Sequence, residues 1–399
     1  MIARRPLWIA YDGVLAGPGH AQVIPYLEAL VDRGLRPSLL SWEKPAHQAG
    51  RPALAARLRA RGIAWRTLRY HRRPALPATA WDLARGLLAG LGFAARERAD
   101  LVHARSLLSA LVAAPIARAR GVPWIFDTRG FWAEERVDGG IWPRDGLLHR
   151  WADRIERAMV RRADGLVTLT RRAEAILRAR GAAAPLRVIP TCVDLERFRP
   201  DVALSADARS FAGRRGWLLL GATGTWYLRD AMLDFCRDAL ADDAEARVAL
   251  LSPEHHGELR AGLAARGILD RTILRSVPHD EVPGWIAAST AAVLFIVPAP
   301  SKAASCPTKL GEILAVGRPV VVNAGVGDVD ELVTRNRVGV VLERPGPGAY
   351  GRARAPLEAL LADPSLASRC RATAAAELSL DKAIDAYRDL YAEVARRRR

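Results

Sequence analysis

Two lysines and a glutamate gather in one short stretch, Ser301-Lys302-Ala303-Ala304-Ser305-Cys306-Pro307-Thr308-Lys309-Leu310-Gly311-Glu312. The chain has four lysines, Lys44, Lys302, Lys309 and Lys382, while nearly every other positive charge is arginine. Two of them in one loop point to a need for a compact ammonium rather than a planar guanidinium. The stretch lies between two apolar runs, Ala291 to Val297 and Pro319 to Val322, that read as buried strands. One helix is predicted between them, with Ser305 or Cys306 near its N-cap, Pro307 near its first position and Gly317 as C-cap glycine. A helix N-terminus at the carboxyl edge of a parallel sheet, flanked by two ammonium groups, is suited to binding an anion. The bland alternative is a pair of surface lysines; the carboxylate of Glu312 beside them favours the functional reading.

Other chemistry-bearing residues fall at the ends of predicted strands. Leu7 to Tyr11 is an apolar run, followed by a loop with Gly17-Pro18-Gly19, then by Val23, Tyr26, Leu27, Leu30 and Val31 at helical spacing. This strand, glycine loop and helix open a doubly wound sheet, in which Gly17 and Gly19 would let backbone approach a ligand. The third glycine of the dinucleotide fingerprint is missing. Further on, His103-Ala104-Arg105 ends one predicted strand and Asp127-Thr128-Arg129-Gly130-Phe131-Trp132 follows another. Ligands bind beyond the carboxyl ends of strands in open α/β sheets. His103 taken alone reads better as a satisfied core histidine. The second half repeats the pattern: strand Trp217 to Gly221, a loop carrying Thr225 and Arg229, and a helix from Ala231. Asp328-x-Asp330 spells a metal-binding pair, yet two carboxylates in a first helical turn are explained by the helix dipole, so no metal is expected.

The elements that must hold these residues alternate, strand and helix, through both halves, which predicts parallel sheets covered by helices. At 399 residues the chain fits two domains. Four dispersed cysteines point to a reducing compartment, with neither a disulfide framework nor a zinc site. No apolar run is long enough to span a bilayer, and Met1 to Gly13, broken by Asp12, reads as a first strand rather than a signal peptide. A net charge of +17 suits phosphorylated substrates, anionic membrane or nucleic acid. Arginines spread over many helices without aromatic interleaving argue against nucleic acid. The terminal Arg396-Arg397-Arg398-Arg399 reads as a frayed tail able to touch anionic lipid.

Pro307-Thr308-Lys309-x-x-Glu312-x-Leu314-Ala315-x-Gly317-x-Pro319-Val320 resembles the donor-site segment of the bacterial glycosyltransferase family 4, which has the GT-B fold. Ile189-Pro190-Thr191-Cys192-Val193-Asp194 is similar to that family's interdomain linker, with Thr191-Cys192 in place of Asn-Gly. The resemblance implies an α/β chain of two Rossmann-like domains facing across a cleft: 1–198 for the acceptor, 199–380 for the donor, and a last helix, 381–399, crossing back to the first. It implies a cytoplasmic, retaining enzyme without a cofactor; the positive charge adds the expectation that it is peripheral on the inner face of the membrane, and the reading of Asp328 and Asp330 that it is metal-independent. It would move a sugar from a nucleotide-diphosphate donor to a carbohydrate or lipid-linked acceptor in polysaccharide synthesis. By the same resemblance Glu312 would hold the ribose, and Gly17, Gly19, Thr225 and the Pro307, Thr308 and Leu310 backbone would hold the rest of the donor. Lys309, Lys302, Arg229 and Asp127 would serve catalysis, with His103, Arg105, Arg129 and Trp132 toward the acceptor. The chain departs from the family at Ala304, where a second glutamate is usual, and at Asp127-x-Arg129-Gly130, where many members have a histidine. A nucleotide-sugar 2-epimerase and a non-catalytic binding subunit of the same fold are the rival readings.

Overall fold

The computed structural model describes residues 4–221, 224, 226–253 and 256–398. Two compact units result: Met1–Pro190 together with Leu380–Arg399, and Thr191–Ser379.

In the first unit seven parallel strands are described: β1 (Pro6–Ala10), β2 (Ser38–Glu43), β3 (Ala64–Arg69), β4 (Leu101–Arg105), β5 (Trp124–Asp127), β6 (Gly165–Thr168) and β7 (Leu186–Val188), in the order β3-β2-β1-β4-β5-β6-β7. Strands β1, β2, β4 and β5 are buried at every position, as parallel strands covered on both faces must be. Strand order reverses between β1 and β4, which makes their carboxyl ends the place where a crevice opens. The helix after β1 spans Gly17–Asp32, so Gly17 and Gly19 belong to its first turn and not to a loop. Gly19 has a structural cause: a Cβ there would lie 1.8 Å from the Gly13 carbonyl oxygen. The glycine serves backbone-on-backbone packing rather than access for a ligand. Glu43 holds the preceding loop, accepting from the N–H groups of Val14 (3.0 Å) and Leu15 (3.2 Å) and from the Ser41 hydroxyl (2.6 Å).

The last helix, Leu380–Arg397, belongs to this unit, packing beside helix Gly17–Asp32 and β7 and burying Tyr387, Leu390, Tyr391 and Val394. Its end is not frayed through residue 398. The helix runs to Arg397, and Arg398 donates to the Val122 carbonyl and pairs with Asp164.

The second unit holds six described parallel strands: β8 (Gly216–Leu220), β9 (Arg247–Leu251), β10 (Thr272–Arg275), β11 (Ala291–Leu294), β12 (Val320–Asn323) and β13 (Gly339–Leu342), ordered β10-β9-β8-β11-β12-β13. Alternate residues of β8 feed different cores: Trp217 and Leu219 pack with Phe235 and Tyr350, Leu218 with Phe211 and Trp285. Here the order reverses between β8 and β11. The helix that follows β11 is Thr308–Ala315, with Pro307 at its N-cap, one or two residues later than the sequence suggests. It ends in a Schellman pattern: Gly317, at φ +83°, donates to Leu314 and Arg318 donates to Ile313.

Candidate functional site

At the β8/β11 reversal of the second unit the two lysines meet two aromatic rings. Lys309 Nζ donates to the Tyr227 hydroxyl at 3.0 Å and lies 4.2 Å from that ring's centroid. Lys302 Nζ lies 3.6 Å over the Trp226 ring. Such faces attract ammonium groups and hold them without neutralising them. Gly221, at φ +80° just beyond β8, makes room for Lys309: a Cβ there would fall 2.6 Å from its Cε and Nζ. Lys302 is buried, and its carbonyl accepts from Gly327 (2.8 Å) and Ser305 (3.0 Å), so the glycine turn after β12 sets its backbone.

The helix opening between the lysines has no side-chain cap at Pro307, and the positive end of its dipole, which favours an anion, lies there. The Leu310 N–H is already spent on the Pro307 carbonyl (3.1 Å). The Thr191 hydroxyl donates to the Cys306 carbonyl at 2.8 Å and ties the segment before Pro307 in place. Glu312, 7% exposed, has its Oε1 3.4 Å from His279 Nε2. Arg197 donates to His279 Nδ1 at 2.6 Å, which leaves the ring proton on Nε2, facing Glu312. Ala304 is fully buried, so a glutamate there would face the core of its 3₁₀ turn. Arg229 is engaged elsewhere: it heads helix Arg229–Ala241 and pairs with Glu258 on the neighbouring helix His256–Ala264. Thr225 lies outside the described residues.

The first unit gathers a different set at the carboxyl ends of β4 and β5, where Arg105 and Asp127 are register partners. Trp8 Nε1 donates to the Tyr391 hydroxyl (3.1 Å), which reaches His103 Nδ1 (3.0 Å), while His103 Nε2 faces Asp127 at 3.4 Å. The chain of donors assigns His103 its Nε2–H tautomer, and its ring stacks on Trp8 at 3.9 Å. Burial lowers the His103 pKa and keeps it neutral. Burial would raise Asp127, yet Arg129 and His103 outweigh it and hold the carboxylate below its usual range. The Tyr387 hydroxyl also donates to Asp127, at 3.2 Å; burial raises both tyrosines and keeps them protonated.

His103 is therefore a core histidine. Asp127, 1% exposed, is an orienting carboxylate rather than one within reach of a substrate. What it orients is Arg129, 3.6 Å away and held at φ +50°, a strained backbone for arginine. Arg105 and Arg129 both donate to Gln22 Oε1 at 2.7 Å, and Arg105 also reaches the exposed Asp12. Trp132 heads helix Trp132–Asp138, where its N–H is held by Glu156 and its ring lies under Arg136.

Comparison with known proteins bears on the family and the fold. The profile described as a glycosyl transferase 4-like domain matches residues 20–192. D-inositol 3-phosphate glycosyltransferase 1 of Catenulispora acidiphila is 31% identical over 330 residues, 78% of this chain and 75% of that protein. The chain belongs to glycosyltransferase family 4. Its fold is that of the family's GT-B enzymes: sucrose-phosphate synthase from Thermosynechococcus elongatus superposes with a TM-score of 0.71 at 19% identity, over 98% of this chain and 100% of that one. HepE from Anabaena, solved with UDP and glucose, superposes with a TM-score of 0.70 at 15% identity, over 97% and 98% of the two chains.

For a family 4 glycosyltransferase, the residues missed from sequence are instructive. Trp226 and Tyr227 sit in the loop after β8, where reading for charge finds only Arg229. His279 lies in Val277-Pro278-His279-Asp280, a segment visible only as the lead into a short helix. No local pattern marks an aromatic as a seat for a lysine more than 70 residues away; its own position in the loop after a switch-point strand was the available signal.

Proposed function

We propose that this glycosyltransferase transfers a sugar from a nucleotide-diphosphate donor to a carbohydrate or lipid-linked acceptor, with retention and without a metal, in cell-surface polysaccharide synthesis. The second unit takes the donor and the first the acceptor, on the cytoplasmic side of the membrane. The observation that carries the reading is the convergence of Lys302, Lys309, Gly221 and the uncapped start of helix Thr308–Ala315 at one sheet reversal. Two ammonium groups and the positive end of a helix dipole suit a diphosphate, and they act most strongly when it leaves with an added charge. In this reading Glu312, steered by the Nε2–H of His279, accepts from the ribose hydroxyls. In the first unit Arg129, braced by Asp127, and Arg105 supply donors for the acceptor, with Trp132 offering an apolar wall.

The test is turnover by purified protein. UDP-glucose is the first donor to try, since HepE was solved with UDP and glucose, and D-inositol 3-phosphate belongs in the acceptor panel because the relative is named for it. Transfer, or slow donor hydrolysis without acceptor, is expected for at least one nucleotide sugar. Binding without either reaction across the panel would overturn the proposal in favour of a non-catalytic subunit. Deuterium entering the donor sugar from heavy water would make it an epimerase.

A further inference from the structure

The large apolar side chains standing exposed among the described residues all fall in two segments of the first unit. Leu76, Trp81 and Leu88 lie on helix Ala75–Arg96; Ile141, Leu147, Leu148 and Trp151 lie on and just before helix Leu147–Arg162. Trp81 and Leu88, 59% and 74% exposed, are seven residues apart and project to one side; Leu147 and Trp151, 80% and 60% exposed, are four apart and do the same. The connections β3 to β4, β4 to β5 and β5 to β6 all step the same way along the sheet, so right-handed crossovers put their helices on one face. Helix Leu107–Arg120 packs between the other two, with Gly90 giving way to Ile116. The outer helices are thus about 16–20 Å apart, and their tryptophans mark two parallel ridges.

Basic residues edge both ridges. Arg85 and Arg96 follow the Trp81–Leu88 side; Arg150, Arg154 and Arg161 flank Leu147 and Trp151, and all are exposed. Arg85, Arg150 and Arg154 pair with no carboxylate among the described residues. Exposed apolar side chains of this size in a monomer's surface mark an interaction site. Tryptophan with leucine, bordered by arginines whose stems can lie along apolar surface, matches the boundary between acyl chains and anionic headgroups. We propose that this three-helix face docks the enzyme on an anionic lipid bilayer, with Trp81, Leu88, Leu147 and Trp151 inserted and the arginines on the headgroups. The anchor is then this face and not the arginine run at the C-terminus, where Arg398 is already engaged with Val122 and Asp164.

The test is flotation of the full chain with vesicles of phosphatidylglycerol and phosphatidylcholine against phosphatidylcholine alone. Binding to the anionic vesicles is expected, weakened but not abolished as salt rises from 0.1 to 0.5 M, because screening removes only the charge component. Trp81→Ser with Leu88→Ser, Leu147→Ser and Trp151→Ser should weaken partition at least tenfold with an unchanged melting temperature. Arg85→Gln with Arg150→Gln and Arg154→Gln should remove the preference for anionic lipid. Gln at Arg396, Arg397 and Arg398 should leave binding nearly intact. The proposal is overturned by absence of vesicle binding, or by binding that the serine variant retains. It is equally overturned by a wild-type dimer that the serine variant turns into a monomer, since the face would then cover a second copy.

Discussion

Replacing Lys309 by alanine should lower kcat far more than it raises the donor KM. Its ammonium is held by the Tyr227 hydroxyl at 3.0 Å and backed by Gly221, so it is preorganised before any donor arrives. A unit charge placed about 5 Å from a leaving diphosphate that gains one negative charge contributes about 3 kcal/mol at an effective dielectric near 20. That increment exists only in the transition state, so it reads as a loss of roughly 100–1,000-fold in kcat. Tyr227→Phe keeps the ring and removes the hydroxyl; a loss of about threefold to tenfold is expected, as for one net hydrogen bond. Lys309→Arg should not recover a tenth of wild-type kcat. The longer planar guanidinium has to fit where Nζ already lies against Gly221. The assay is steady-state release of nucleoside diphosphate at saturating acceptor, with donor affinity measured separately by calorimetry. Wild-type kcat with only KM raised would make Lys309 a uniform binding contact, and full rescue by arginine would refute the point-charge argument.

Three further outcomes are expected. Glu312→Gln should weaken donor binding by about 1.5–3 kcal/mol by calorimetry, and His279→Ala by a smaller amount in the same direction, because it acts through Glu312. Glu156, buried beside Trp132 and Arg180, has its pKa pushed up to about 7 by burial, which outweighs Arg180. The folded state then holds a proton the unfolded chain has released, so this group's contribution is full below about pH 4.5 and falls by about 3 kcal/mol as pH rises to about 7. Glu156→Gln should flatten that slope in urea titrations run from pH 5 to 8. Gly19→Ala should destabilise the first unit by several kcal/mol or prevent its folding, read by circular dichroism, since no side-chain movement relieves a clash with the Gly13 carbonyl.

The fold was legible because parallel strands covered on both faces leave continuous apolar runs, and helices Leu107–Arg120 and Leu147–Arg162 begin and end where their patterns do. The site was legible in part. Lys302, Lys309 and Glu312 stand out by type and spacing along one loop and helix. Arg229 misled because a charge at a helix start looks available until Glu258, 29 residues on, claims it. Gly19 misled because glycine's lack of a side chain fits a ligand and a packed carbonyl equally well. Asp127 looked like chemistry at a strand end; the Tyr387 hydroxyl that buries it comes from 260 residues away, beyond any local pattern.

The order in which the chain is made gives the last helix a further meaning. The second unit, Thr191–Ser379, is an insertion within the first, whose missing piece is Leu380–Arg397. Until that piece has been synthesised, Trp8 and His103 lack the Tyr391 hydroxyl that links them and Asp127 lacks Tyr387. During translation the inserted unit is therefore complete while its host still exposes an unfinished seam along β1, β4 and β5. A nascent chain released early would carry an intact lysine site beside a host that cannot close its core. The first unit can therefore close its core only after the inserted unit has been made.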